Sequence, residues 1–556
     1  MSQPVVDSKS AENCPGWKRA GDVARATVVG SLLLLFGAIS LQAAKGPQEE
    51  VERNFQKSVT LGAGQSVSVD HRFGDVRLHG ETGREVKISA TIRVQTGTRA
   101  DSEAFADKIK IEVEQSGDGV RIRTVYPDEV KRFFSGKRVS YSVNYDIGLP
   151  TDAGLHVKND FGNVESSGIH GATEIGNEHG SVTVRNAGAT RLSNSFGSVE
   201  LSGAAGNAVV NDVNGTVQVS DVKGVLEVRN RFGGVTVRNV QGGATISSGN
   251  GNVTLTDAAS ANITTSFGSI EASKIRGDLY VRDNNGNVEV STVGGNTDIA
   301  DTFGSVTFSN LAGTVKCTTN NGRVKGSAAT GSSVTVRDGF GNIELDNISG
   351  SLNAETSNGK ITVQDARGSV ELRSSFGAIE ASNIGKGLRA VMANGAVTLT
   401  GIGGDVYVKT SFGSIVADRI AGTLTAENTN GSVTAHNIKT DATVSTSFGG
   451  VALESIGGRI SVDNQNGAIS VGAIHAAGAC HDVSLKTSFS PIRVAIPANL
   501  GYNVNAQTSF GRVSSELPLT TTGTVGGDSL NGTIGGGGCQ LQLTNSNGNI
   551  EIVKAN

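Results

Sequence analysis

Gly395-Ala396-Val397-Thr398-Leu399-Thr400-Gly401-Ile402-Gly403-Gly404-Asp405-Val406-Tyr407-Val408-Lys409-Thr410-Ser411-Phe412 is one turn of a repeat, and its reading decides the fold. Val397 and Leu399 alternate with polar neighbours, Ile402 stands alone, and Val406 and Val408 alternate again. The preceding turn carries Ile379, Ala381, Ile384, Leu388 and Ala390 in the same slots. Each turn therefore offers two short strands of period 2, separated by bends. A single turn cannot bury its apolar face, whereas turns stacked in register bury it continuously.

A glycine returns about every 18 residues, eighteen times from Gly162 to Gly467. The residue before it alternates between phenylalanine and asparagine, and His179 is the single break in that alternation. A tight corner explains the glycine, because it demands positive φ or close backbone approach. Asparagine beside it tolerates left-handed geometry and offers an amide to a neighbouring turn. With about 4.8 Å between stacked strands, eighteen turns give a rod of roughly 85 Å. The apolar slots do not recur every six residues, which argues against the left-handed hexapeptide helix.

The rest of the composition agrees. Glycine is abundant at 76 residues while proline is scarce at 8, which excludes collagen and a proline-rich linker. Val, Ile, Thr, Ser and Asn suit strands and turns. A formal charge of -4 over 556 residues leaves no basic stripe for nucleic acid.

The predicted fold is all-β: a single-stranded parallel β-helix, or β-solenoid, of about 18 residues per rung, preceded by a β-rich N-terminal cap with one short helix. Residues 1–25 read as a cytoplasmic or leader segment and 26–44 as an uncharged apolar stretch containing Leu32-Leu33-Leu34-Leu35-Phe36. Lys18, Arg19 and Arg25 precede that stretch. It reads as a single-pass signal anchor, or as a signal peptide cleaved near Ala43 or Ala44; both readings place the repeats outside the cytoplasm. Cys14 lies upstream of the apolar run, which does not support lipid attachment.

Residues 45–150 form the cap, with a helix expected over Arg99 to Lys108 behind a Thr98/Asp101 capping pair and with Phe105 and Ile109 on one face. Within it, His71-Arg72-Phe73-Gly74 looks like an isolated early copy of the corner. Residues 151–470 hold the repeats, and 471–556 hold irregular late rungs in which Leu541 to Val553 is expected to close the rod and shield its edge.

Several stretches carry residues of chemical interest. Gly527-Asp528-Ser529-Leu530 spells a lipase-type motif, but it sits among glycines without the helix or downstream histidine that such a nucleophile needs. His475, His481 and Asp482 lie near Cys480 without metal-ligand spacing. Gly535 to Gly538 lacks the strand-to-helix context of a phosphate loop. Charges one rung apart, such as Lys386 and Asp405, do not converge. No catalytic residue, cofactor or metal is assigned. Cys317 falls in an inward slot, and Cys480 and Cys539 are a candidate disulfide in an oxidising compartment.

The remaining feature is the ladder Phe196, Phe232, Phe267, Phe303, Phe340, Phe376, Phe412 and Phe448, which recurs every second rung. Large rings normally bury, so the preferred expectation is that each ring points inward and plugs the corner. Turned outward, the same rings would form a rail for a repeating glycan or envelope polymer, or a contact between rods.

Ser195-Phe196-Gly197-Ser198-Val199, Ser411-Phe412-Gly413-Ser414-Ile415 and Asn358-Gly359-Lys360-Ile361 resemble the bacterial adhesin-type family with the DUF4097 domain. Tyr145-Asp146-Ile147-Gly148-Leu149-Pro150 is similar to the entry into that family's repeats, and the resemblance runs over about residues 60 to 556. It implies an exported β-solenoid of the cell surface or envelope, and it brings no ligand or catalytic residue. The expectation is a non-catalytic adhesion, binding or structural protein. It is membrane-held through residues 26–44 if uncleaved and otherwise secreted or periplasmic, with an envelope polysaccharide or surface protein as partner and no nucleic acid. An envelope-stress sensing scaffold is the alternative, and a polysaccharide-active enzyme the distant one.

Overall fold

The computed structural model describes residues 50–127, 139–472, 474, 479–521 and 526–555. The expected leader and apolar segment, 1–25 and 26–44, lie outside the described residues, as does His475. Among the described residues no helix is long and apolar enough to cross a membrane.

The body is a parallel β-solenoid. In the rung quoted above, strand Val397–Ile402 pairs in parallel with Ile379–Ile384 before it and Ile415–Ile420 after it. Strand Val406–Phe412 pairs likewise with Leu388–Asn394 and Leu424–Asn430. Equivalent residues face each other, so the apolar slots form continuous columns. Val397, Leu399, Ile402, Val406 and Val408 are all buried.

The solitary inward residue has a geometric cause. Leu399 and Ile402 are three apart, yet both point inward, which simple alternation forbids. The residue before Ile402, Gly401, has φ +70, and its counterparts Asn383, Arg419 and Asn437 have φ 56, 54 and 56. One left-handed residue per rung reverses the side-chain parity and returns the next residue to the core.

The corner glycines carry a second constraint. Gly413 has φ +132, and a methyl group on it would lie 2.0 Å from the carbonyl oxygen of Gly395 one rung below. The glycine column is thus also a zone of backbone contact, which no side chain can enter.

Both ends depart from simple stacking. The early corner copy is a full rung: Ser66–Asp70 stacks in parallel on Gly154–Phe161, and Val76–Glu81 on Val164–Ser167. Gly119–Val125 and Ser140–Pro150 cover its other side, and antiparallel strands Lys110–Ser116, Glu85–Gln95 and Val51–Thr60 finish the cap. The helix spans Arg99–Ala106, with Thr98 Oγ1 accepting from the Asp101 N–H at 3.1 Å. Phe105 and Ile109 are buried beneath it.

At the C-terminal end the order of rungs is not the order of the chain. Strand Cys539–Asn545 inserts between Val483–Thr487 and Tyr502–Thr508, and Ile550–Lys554 between Ile492–Ile496 and Val513–Ser515. The expected closure by Leu541 to Val553 is therefore corrected: these residues fill an internal rung. The antiparallel pair Leu519–Thr521 and Ser529–Ile534 lies on the outer strand Tyr502–Thr508 instead. The physical gain is that the chain's last strands are hydrogen-bonded on both edges and expose no template for further pairing. Cys480 and Cys539 form a disulfide that joins the inserted rung to its neighbour. Cys317 is buried and free.

Candidate binding ridge

The corner column is built by register. Phe376 faces Asn394, Asn394 faces Phe412, and Phe412 faces Asn430. Thr410, two residues before Phe412, points inward, and alternation would send Phe412 inward too. It does not go there. The chain turns at Gly413, and the inner corner is filled by the polar side chains of the Thr410 and Asn428 slot. Asn428 Nδ2 donates to the carbonyls of Gly413 and Gly431 at 2.9 and 3.0 Å. The phenylalanines therefore stand outside, with exposures from 42% at Phe161 to 77% at Phe510. The expectation that Phe196, Phe232, Phe267, Phe303, Phe340, Phe376, Phe412 and Phe448 plug the core is overturned: all eight are exposed.

The column extends beyond the regular repeat. Phe73, Phe161, His179 and Phe196 form a continuous stack, with centroid distances of 5.3, 4.6 and 4.9 Å and planes within 11°. His179, which breaks the sequence alternation, thus extends the aromatic surface. At the other end the inserted rung seats Asn547 between Phe489 and Phe510. The Asn547 N–H donates to Ser488 O at 2.7 Å, and the Phe510 N–H to Ser546 O at 2.8 Å. Alternation of ring and amide is kept in space although chain order breaks it.

Beside the column, next to Phe376 and Phe412, runs a shallow groove of about 350 Å³, lined among others by Glu355, Arg373, Ser375, Lys409 and Ser411. The site therefore combines flat apolar rings with hydroxyl, basic and acidic groups. The other sequence candidates do not assemble. Ser529 opens the antiparallel cap strand, and among the described residues no histidine hydrogen-bonds it. Asp482 accepts from the Gln540 N–H at 3.0 Å and so anchors the inserted strand. Asp405 accepts from the Thr423 N–H at 2.8 Å. Among the described residues no group of three His, Cys, Asp or Glu side chains could hold a metal ion.

Residues 386–553 match the profile of Toastrack DUF4097. That stretch is similar to the Toastrack DUF4097 family. The Toastrack stretch holds Phe412, Phe448, Phe489, Phe510, the inserted rung and the disulfide. Among solved structures the chain is similar to a "putative cell adhesion protein" of Clostridium sporogenes at 11% identity, covering 42% of this chain and 100% of that one, with a TM-score of 0.18. It is also similar to a "putative adhesin" of Parabacteroides distasonis at 11% identity, covering 68% and 97%, with a TM-score of 0.13. No curated protein matches the sequence.

Proposed function

We propose that this protein is a non-catalytic binding protein of the cell surface or envelope, whose ring-and-amide ridge engages an elongated, repeating polymer. The observation that carries this reading is the exposure of phenylalanine at every second rung along one corner. Exposed aromatic faces rarely persist in series without a partner, and rings stack well on flat apolar faces. Two rungs span about 9.6 Å, close to one disaccharide in an extended β-1,4-linked glycan. Every ring then meets an equivalent sugar face, and the intervening Asn and groove hydroxyls meet its hydroxyl groups. The near-neutral charge favours an uncharged polymer over a polyanion. The apolar segment 26–44 supports the export part of this reading, and the disulfide suits an oxidising compartment.

The test is binding of the full chain to a panel of envelope and matrix polysaccharides, with Phe376→Ala and Phe412→Ala beside it. Binding that the double variant loses without a change in melting supports the ridge. Binding that the double variant retains moves the ligand to another face, and no binding to any glycan removes the polysaccharide reading.

A further inference from the structure

The inner corner carries a second column, one residue per rung, three positions before each glycine. Most rungs place Asn, Thr or Ser there. Asn194 Nδ2 donates to Gly197 O at 2.8 Å, and Asn464 Nδ2 to Gly449 O at 2.8 Å. Two neighbouring rungs differ, because they carry Asp283 and Asp301. Two further acids stand in the column, Asp212 well before this pair and Asp338 after Thr319.

In these rungs an acceptor occupies the place of a donor. A methyl group on Gly431 would lie 3.0 Å from Asn428 Nδ2; on Gly286 and Gly304 it would lie 2.9 and 3.2 Å from Asp283 Oδ2 and Asp301 Oδ2. The carboxylate oxygens thus sit beside the glycine backbone where an amide N–H sits elsewhere. Asp283 and Asp301 are each 6% exposed. Asp283 Oδ2 lacks a hydrogen-bond partner, and the Asp301 carboxylate is approached by the backbone N–H groups of Thr302 and Phe303 alone, with no side-chain donor. Thr319 Oγ1, in the next rung of the column, is buried and also unpartnered. Among the described residues no Lys or Arg forms an ion pair with either acid. The strands Leu279–Arg282 and Thr297–Ala300 stop one residue before each acid, where the regular strands run on to the corner.

Buried, unpaired carboxylates are costly unless a positive group joins them. Asp283 Oδ1 accepts from the Asn284 N–H at 2.8 Å and from the Thr265 hydroxyl. Carboxylates stacked one rung apart are about 4.8 Å apart. An ion midway is then about 2.4 Å from each, within the range of calcium–oxygen bonds.

We propose that the inner corner at Asp283 and Asp301 binds a hard, oxygen-preferring cation such as calcium, with turn carbonyls completing an all-oxygen site. The ion replaces the missing amide donor and cross-links adjacent rungs in the middle of the rod.

The experiment uses the full chain freed of metal by chelation, with Ca²⁺, Mg²⁺ and Na⁺ as probes, followed by thermal melting and calorimetric titration. Expected is a rise in melting temperature of several degrees with Ca²⁺, saturating at one ion per chain. Asp301→Asn should abolish that rise. It should also melt no lower than the metal-free wild type, because its amide can donate as Asn194 does. Asp212→Asn, at a lone acid elsewhere in the column, should keep the rise. The proposal is overturned if no cation shifts the wild type, if the Asp283→Asn/Asp301→Asn double variant keeps the shift, or if stability answers to pH alone, which would mean a proton fills the role.

Discussion

Asn547 sits next to Phe489 in the corner column, although the chain runs through a whole rung containing Phe510 before it reaches Asn547. The Asn547 N–H binds the carbonyl of Ser488, and the inserted strand is paired on both edges. A solenoid stacked in chain order would have set Phe489 against Phe510. Inserting the last rung restores ring–amide–ring spacing and protects the terminus in the same step.

Phe412 and Gly413 are adjacent and should respond to substitution in opposite ways. Phe412 is 54% exposed, so Phe412→Ala should change unfolding free energy by less than about 1 kcal/mol. A methyl on Gly413 would collide with the Gly395 carbonyl and would require a strained φ. Gly413→Ala should cost about 2 kcal/mol or more. Urea unfolding of both variants reads the contrast, and equal midpoints would contradict this account of the corner.

Thr292 occupies the left-handed slot at φ 58. A β-branched side chain is strained there, whereas Asn310 fills the same slot one rung later at φ 56. Thr292→Asn should therefore stabilise the protein by about 0.5–1 kcal/mol. A lower urea midpoint for the variant would show that the threonine makes a compensating contact.

The disulfide closes a segment 59 residues long that contains the outer rung and its covering hairpin. Chain-entropy reasoning assigns about 4 kcal/mol to a loop of that length. The double variant Cys480→Ala/Cys539→Ala should lose that stability first in the C-terminal rungs. Hydrogen exchange should show Tyr502–Thr508 and Cys539–Asn545 opening while strands near Val397 remain protected. Uniform loss along the rod would mean that the end is not an independent unit.

Most of the architecture was legible because the repeat is written in the chain. Period-2 alternation located the strands, and Phe-Gly and Asn-Gly located the corners. Three features were not legible. The outward turn of Phe412 depends on the inner corner being filled by the Asn428 column, a tertiary fact that local alternation contradicts. The left-handed slot holds Asn, Asp, Gly, Lys, Thr, Ala, Arg or Ser, so no single residue type announces it, although its frequent Asn was a usable signal. The insertion of the last rung leaves no local trace, because Asn547-Gly548 reads as an ordinary corner wherever it stacks.

His71 gives the cap a pH dependence of defined sign. Its ring is 2% exposed, packs edge-on against Tyr145 at 5.0 Å, and has Nδ1 3.0 Å from Thr124 Oγ1. Burial pushes its pKa down to about 4, while the Val143 and Phe73 backbone and then Asp70 and Asp75 pull the other way. The unfolded chain, titrating near 6.5, binds a proton that the folded cap refuses. The stability that His71 contributes is complete above pH 6.5 and is lost as pH falls through about 4. The full effect is about 3 kcal/mol. Asp212, Asp301 and Asp338, raised to about 6 by burial, act in reverse: their penalty is relieved as pH falls through that value. A wild-type profile therefore mixes the two signs, and His71→Gln separates them. Between pH 7.5 and 4.5 the variant should lose less stability to urea than the wild type, because only the wild type must keep a buried imidazole neutral. Parallel profiles would place the acid sensitivity elsewhere in the fold.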